Sequence, residues 1–244
     1  MPTIYLSPST QEFNPYVGGG NEEQYMNLLA DAMEPYLTAS GIQFVRNTPD
    51  MTAASSIAAS NRGNYDFHLA LHSNASGGTA GTVRGAEFYY YPGSRNGKRF
   101  ADIAAENFKI IYPLPDRVRT VPTTSLGEVT RTRAPSVLVE VAYHDNPQDA
   151  QWIRENIEAM AANLVFSLTE YFGIPFNVPQ PIFTASVATR GSNLNIRYGP
   201  STDTDIVGSI PNGQEVIVYA QVPDWSLVNY NGTVGYVSTR YLQY

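Results

Sequence analysis

Along residues 1–173, short apolar runs alternate with longer stretches in which apolar positions recur every three or four residues. Residues 3–6 form an apolar run stopped by Ser7-Pro8 and read as a strand. Tyr25, Leu28, Leu29, Ala32, Met33 and Tyr36 share one face of a helix over 22–37 that closes at Gly41. Pro35 lies inside that span, removes a backbone donor and predicts a kink or a weakened last turn. Residues 42–46 read as a strand, 52–61 as a helix rich in Ala and Ser, and 67–72 and 86–91 as two more strands. Phe100, Ile103, Ala104 and Phe108 give an apolar face to a helix over 98–112. The run VLVEV at 137–141 has the continuous apolarity of a central strand, and a long helix over 149–171 ends at Gly173. Strand and helix in alternation predict an α/β domain over 1–173, a mostly parallel central sheet with helices on both faces.

The pattern changes at Ile174. The stretch IPFNVPQPIF carries three prolines in ten residues, so 174–185 reads as a stiff linker. From 186 to 244 the helical period vanishes. Short alternating strands follow, punctuated by Tyr198-Gly199-Pro200, Pro211-Asn212-Gly213 and the hairpin signal Asn231-Gly232, and they predict a small β-barrel.

Composition narrows the chemistry. Hydrophobic residues at 43% against 15% charged describe a globular chain with a real core. A formal net charge of −7 argues against nucleic acid as a partner, because phosphate binding needs a basic footprint. There is no cysteine, which leaves His, Asp, Glu, Ser, Thr and Tyr for catalysis or metal binding. No apolar stretch approaches the roughly 20 residues of a membrane span. The chain opens with no basic segment leading into an apolar core, so the expectation is a trimmed export signal or another route out of the cell.

Ligand sites in open α/β sheets lie beyond the carboxyl ends of the strands. Four features map there: the loop 7–20, the acidic helix start Glu22-Glu23, His72 in LHSNAS, and Glu140 in VLVEV. A buried carboxylate is costly unless it is paired, protonated or on a metal, and Arg131 or Arg133 is a candidate partner for Glu140. His72 is either a ligand at the mouth of a site or a hydrogen-bonded histidine closing a strand. His68, four residues earlier, shares its face about 13 Å away and reads as structural.

The order of these motifs resembles that of the zinc-dependent N-acetylmuramoyl-L-alanine amidases of the type-3 family. The matching stretches are 21–28, the L-H-x-N-A of 71–75 and the P-x-V-L-V-E strand with its following Asn over 135–146. The resemblance implies a zinc held by His, Glu and His, with a second Glu handling the attacking water. Glu23 matches the family's ligand through E-x-x-x-N-L, with Glu22 as the alternative; His72 matches the second histidine and Glu140 the catalytic carboxylate. Asn74 and His144 fall at substrate-binding positions. The departure is the loop SPSTQEFNPYVGGG, which holds no histidine where the family has its first ligand. Thr10 stands near that place, and Glu12 or His144 is left to complete the metal site.

Residues 186–244 resemble a bacterial SH3 domain, through NLNIRYGPS, the Trp225 strand and NGTVGYVSTRYL. That resemblance implies attachment to cell-wall peptides, with Tyr198, Trp225 and Tyr236 as candidate wall-binding aromatics. Two functions follow. One is a secreted or wall-associated peptidoglycan hydrolase that cuts the bond between N-acetylmuramic acid and L-alanine with a zinc-activated water. The other is a degenerate amidase scaffold that binds peptidoglycan without cutting it.

Overall fold

The computed structural model describes residues 1–180 and 183–244; Pro181 and Ile182 of the expected linker lie outside the described residues. Six strands form the first sheet: β1 (Thr3–Pro8), β2 (Gln43–Arg46), β3 (Phe67–Asn74), β4 (Ala86–Tyr90), β5 (Val118–Pro122) and β6 (Ser136–Tyr143). Their order is β2-β1-β3-β6-β4-β5, and every pairing is parallel except β4 against β6. Flanking the sheet are α1 (Glu22–Ala39), α2 (Ala53–Arg62), α3 (Arg95–Phe108), α4 (Gly127–Thr130), α5 (Pro147–Glu155) and α6 (Ile157–Phe172).

Successive strand residues point to opposite faces, which divides the packing. Ile4, Leu6, Leu69, Leu71, Val137 and Val139 enter the main core with Met26, Leu29, Met33, Phe100 and Leu164 of α1, α3 and α6. Ala70 and Leu138 face the other way, against Val129 of α4. Polar side chains interrupt this second face: His68 and Ser60 of α2 bond at 3.0 Å, and Asn47 donates to Ser56 at 2.9 Å.

Three local differences from the sequence pattern have physical causes. The helix expected over 149–171 breaks at Asn156, whose side chain donates to the Trp152 carbonyl at 2.8 Å instead of continuing the ladder. In α1 the helix runs on past Pro35 to Ala39, since Met33, Tyr36 and Leu37 are buried and hold the last turn against the core. Neither β5 nor the single turn of α4 carries a period long enough to read from sequence.

The second sheet comprises β7 (Phe183–Val187), β8 (Leu194–Arg197), β9 (Ile206–Ile210), β10 (Glu215–Val222), β11 (Trp225–Tyr230), β12 (Thr233–Ser238) and β13 (Leu242–Gln243), in the order β13-β7-β10-β11-β12-β8-β9. All of its pairings are antiparallel. Asn231 and Gly232 take φ of +51° and +87°, the left-handed pair that a two-residue hairpin between β11 and β12 requires. β7 begins inside the stretch expected to be linker. The described linker residues are anchored: Phe176 stacks on Tyr36 with 5.9 Å between ring centroids, and the Asn177 backbone N–H donates to Ser40 at 3.1 Å.

The β-domain rests on α1 and α6. Leu227 and Val234 join the main core of the first domain, and Tyr198 donates its hydroxyl to Glu23 at 3.0 Å. Gln24 bonds Asp205 beside it.

Candidate active site

The carboxyl ends of β1, β3 and β6 converge with the start of α1. Asn21 caps that helix: its side chain accepts from the Gln24 N–H at 2.9 Å, and the Gln24 side chain accepts from the Asn21 N–H at 3.0 Å. This reciprocal cap fixes the helix phase and sends Glu22, at the first helical position, inward beside the partial positive charge of the helix end. Three successive glycines, Gly18, Gly19 and Gly20, with φ of +88°, +107° and +77°, return the preceding loop to the cap.

His72, at the end of β3, lies between two carboxylates. Its Nδ1 is 2.8 Å from Glu22 Oε1 and its Nε2 is 2.9 Å from Glu128 Oε2 of α4. Ser7 donates to Glu128 Oε1 at 2.5 Å, and His68 Nε2 stands 3.4 Å from the same oxygen. Asn14 donates to Glu22 Oε2 at 2.6 Å. Burial opposes charge on His72, but the hydrogen bonds and charges of Glu128 and Glu22 outweigh it and hold the imidazolium form well above its usual range. Burial likewise opposes ionisation of both carboxyls, and their bonds to histidine override it. Glu22 is held below its ordinary value and Glu128 well below.

Glu140 is next to His72 in the sheet register, and Glu87 follows on the other side of Glu140. Glu87 is neutralised by Arg119 and receives Tyr89 at 2.5 Å and Asn74 at 3.1 Å. One oxygen of Glu140 is buried and has no hydrogen-bond partner. Burial, reinforced by the charges of Glu22, Glu87 and Glu128, pushes the Glu140 carboxyl up to about 8, His72 opposing. It is a carboxylic acid near neutral pH, one sheet position from an imidazolium.

Of the expected site residues, the structure brings His72, Glu140 and Asn74 to one edge. It places Glu22, not Glu23, on His72; Glu23 faces Tyr198 of the β-domain. Glu12 is exposed. His144 is buried and stacked on Tyr16, with Nδ1 2.8 Å from the Ser73 carbonyl and 3.0 Å from its hydroxyl. Arg131 and Arg133 form no ion pair with Glu140; both bond Asn61 through backbone or side chain. Tyr198 and Tyr236 turn toward α1, and only Trp225 of the three expected wall-binding aromatics lines an open cleft. Glu128 was not foreseen. Its one signal is indirect: a sheet face carrying both His68 and His72 calls for a buried acid, without saying which.

A catalytic zinc takes about three protein ligands and keeps one open position. The donor set here does not fit that requirement. Both nitrogens of His72 already face carboxylates, and its neighbour from the first loop is Gln11, whose amide nitrogen, 3.3 Å from His72 Nδ1, has no lone pair to offer a metal. Among the described residues no three His, Asp or Glu side chains converge as a metal site.

An α/β sheet with a histidine and carboxylates at its ligand-facing edge, joined to a small antiparallel β-domain, defines a two-part protein with a candidate hydrolase-type site. Comparison with family models matches residues 12–169 to N-acetylmuramoyl-L-alanine amidase and residues 192–243 to the bacterial SH3 domain. The chain therefore belongs to the N-acetylmuramoyl-L-alanine amidase family and carries a bacterial SH3 domain. Among solved structures it is similar to the amidase AmiC2 of Nostoc punctiforme, at 18% identity and a TM-score of 0.62 over 70% of this chain and 97% of that one. The catalytic domain of the amidase CwlV from Bacillus (Paenibacillus) polymyxa var. colistinus matches at 18% and 0.62, over 72% and 100%. An amidase of Clostridium difficile 630 matches at 17% and 0.62, over 70% and 97%. Comparison with curated proteins finds no significant match. No helix among the described residues is long and apolar enough to cross a membrane.

Proposed function

We propose that this protein binds peptidoglycan at the wall, through an amidase cleft that holds the muramoyl-peptide junction without zinc-driven cleavage and through its SH3 domain. The observation that carries this reading is His72 closed between Glu22 and Glu128, with Gln11 of the first loop beside it and no histidine in that loop. The family is generally zinc-dependent, and zinc would supply a polarised water where a fitting ligand set exists. In this chain the histidine that would bind it is instead an ion-paired structural cation. The site still presents the carboxyl of Glu140, which the resemblance gives a catalytic role, and Asn74, which it gives to substrate, held by Glu87 at 3.1 Å.

A second reading, hydrolysis, is favoured by Glu140 itself, a cleft carboxyl whose raised pKa suits proton transfer. One set of measurements separates the two: zinc retained after loading, new L-alanine amino termini from digested sacculi, and co-sedimentation with sacculi. Binding without retained zinc or released amines is expected. Near-stoichiometric zinc together with amine release that Glu140→Gln abolishes would overturn the proposal in favour of the hydrolase.

A further inference from the structure

At the ligand-facing edge of the first sheet, one side chain from each of four neighbouring strands falls on a single row. Register pairs His72 of β3 with Glu140 of β6, Glu140 with Glu87 of β4, and Glu87 with Arg119 of β5. His72 and Glu87 are buried and Glu140 is half-buried, but the Arg119 side chain is 67% exposed.

That exposure is unusual for an arginine fixed by a buried acid. Glu87 Oε1 accepts from Arg119 Nε at 2.8 Å and from Arg119 Nη2 as well, while Glu87 Oε2 accepts from Tyr89 and Asn74. Arg119 therefore spends two of its five donors, both on one oxygen. Arg46 and Arg84 are also held by acids but are used differently. Arg46 reaches Asp31, Glu34 and Asn27, Arg84 reaches Asp149 and Gln148, and their side chains are only 20% and 19% exposed. Arg119 alone of these is gripped from behind by one carboxylate oxygen and presents its remaining donors to solvent.

Chemistry and position narrow what those donors take. The planar fork of a guanidinium matches carboxylate in bidentate geometry. Glu140 and Arg119 are two strand spacings apart, about 10 Å, and the guanidinium leans back onto Glu87 between them. An extended peptide advances about 3.5 Å per residue, so a chain whose first amide sits at Glu140 brings the group two residues on to Arg119. Asn74, which the resemblance gives to substrate, is tied to the same Glu87 carboxylate.

From this row we infer that Arg119 sets specificity: it takes the free carboxylate of the stem residue that follows L-alanine, so the protein selects muropeptides that keep this acid over those in which it is amidated. The inference rests on the muropeptide-binding reading of this site and names a residue and a substrate feature within it.

The test is an NMR titration of the full-length protein with N-acetylmuramyl-L-alanyl-D-isoglutamate and with its amide, N-acetylmuramyl-L-alanyl-D-isoglutamine. The Asn74 side-chain NH2, bonded to Glu87, reports this row itself, whatever the SH3 domain binds. We expect the acid to bind about fivefold or more tightly than the amide, with the preference shrinking as salt is added. Arg119→Gln should abolish the preference by weakening the acid alone. Arg119→Lys keeps a cation on Glu87 without the fork and should retain only part of it. Equal affinities in the wild type overturn the assignment, and that comparison needs no variant to fold. So does a preference that survives in Arg119→Gln, or a variant that weakens acid and amide by the same factor, the mark of a residue that only holds Glu87 in place. If Asn74 of the wild type responds to neither ligand, the muropeptide-binding reading of the site fails together with this inference. If it responds to both alike, the reading stands and the inference alone fails.

Discussion

Glu140→Gln should stabilise this protein at alkaline pH and have little effect at pH 5. The wild-type carboxyl is carried from an ordinary 4.5 to about 8 by burial among Glu22, Glu87 and Glu128. Between those two values the folded state holds a proton that the unfolded chain has released. The unfolding free energy therefore falls as pH rises from 4.5 to 8 and levels off above it. At about 1.4 kcal/mol per pH unit the full window corresponds to about 5 kcal/mol. Glu140 is not fully enclosed, so water screens the charge in part, and we expect roughly half of that figure. Glutamine has the shape of the neutral acid and cannot ionise, so it removes this loss. The assay is urea denaturation of both proteins from pH 5 to 9, read as the difference between their free energies. His72 titrates with the opposite partner logic: its raised pKa contributes stability below 6.5 that is lost as pH climbs through the folded value. Both proteins keep His72, so the difference retains only the part of its contribution that couples to the Glu140 charge. A gap of about 2–3 kcal/mol should open between pH 5 and pH 8.5 in favour of the variant. Parallel curves would refute the claim that Glu140 is buried as a neutral acid.

Other perturbations test the rest of the network. Glu128→Gln leaves the His72 imidazolium with one carboxylate and should cost about 3–5 kcal/mol at pH 7 in the same denaturation assay. Glu22 and Glu128 both have lowered pKa values, so their contribution is complete above about pH 4.5 and is lost as pH falls. Thermal melts between pH 5 and 3 should drop steeply in the wild type and less so in a protein carrying both Glu→Gln changes. Tyr198→Phe deletes the hydroxyl bond to Glu23 and should cost about 1 kcal/mol, read by denaturant unfolding. Phe176→Ala removes the ring against Tyr36 and Phe166 and should speed proteolytic cleavage within residues 174–185, with a loss of about 2–3 kcal/mol.

Much of the frame was legible because it depends on local pattern. The runs that became β1, β3, β4 and β6 are short apolar blocks, and α1 and α3 have clean helical spacing. Glu140 was legible for a different reason: an acid inside VLVEV is an anomaly in any sheet. What the sequence left open depends on phase and register. Glu22 and Glu23 are neighbours about 100° apart on a helix, and which one points inward is set by where the helix starts. The spacing to Asn27-Leu28 favoured Glu23. The signal that decides it, Asn21 with Gln24 three residues later, is a capping box that puts Glu22 at the first inward position. Glu140's neighbours are likewise a matter of strand order: Arg131 and Arg133 are close in sequence, but sheet register brings His72 and Glu87 alongside instead. Glu128 sits on one turn of helix, too short for any period to announce it.

The aromatic positions of the SH3 domain show the same limit from the other side. Alternation along β12 says that Tyr236 points away from its neighbours in the strand, but it cannot say that the face so presented meets α1. Tyr198 and Tyr236 are therefore engaged with Glu23 and Asp31 of the first domain, leaving Trp225 on the free side of the barrel. The two consecutive acids at the start of α1 then divide the labour between domains. Glu22 turns in to hold His72, and Glu23 turns out to receive Tyr198, so one helical turn fixes both the amidase site and the seat of the SH3 domain. A substitution that shifts the start of α1, such as Asn21→Ala, should loosen the His72 network and the domain contact together, because both carboxylates are aimed by the same cap.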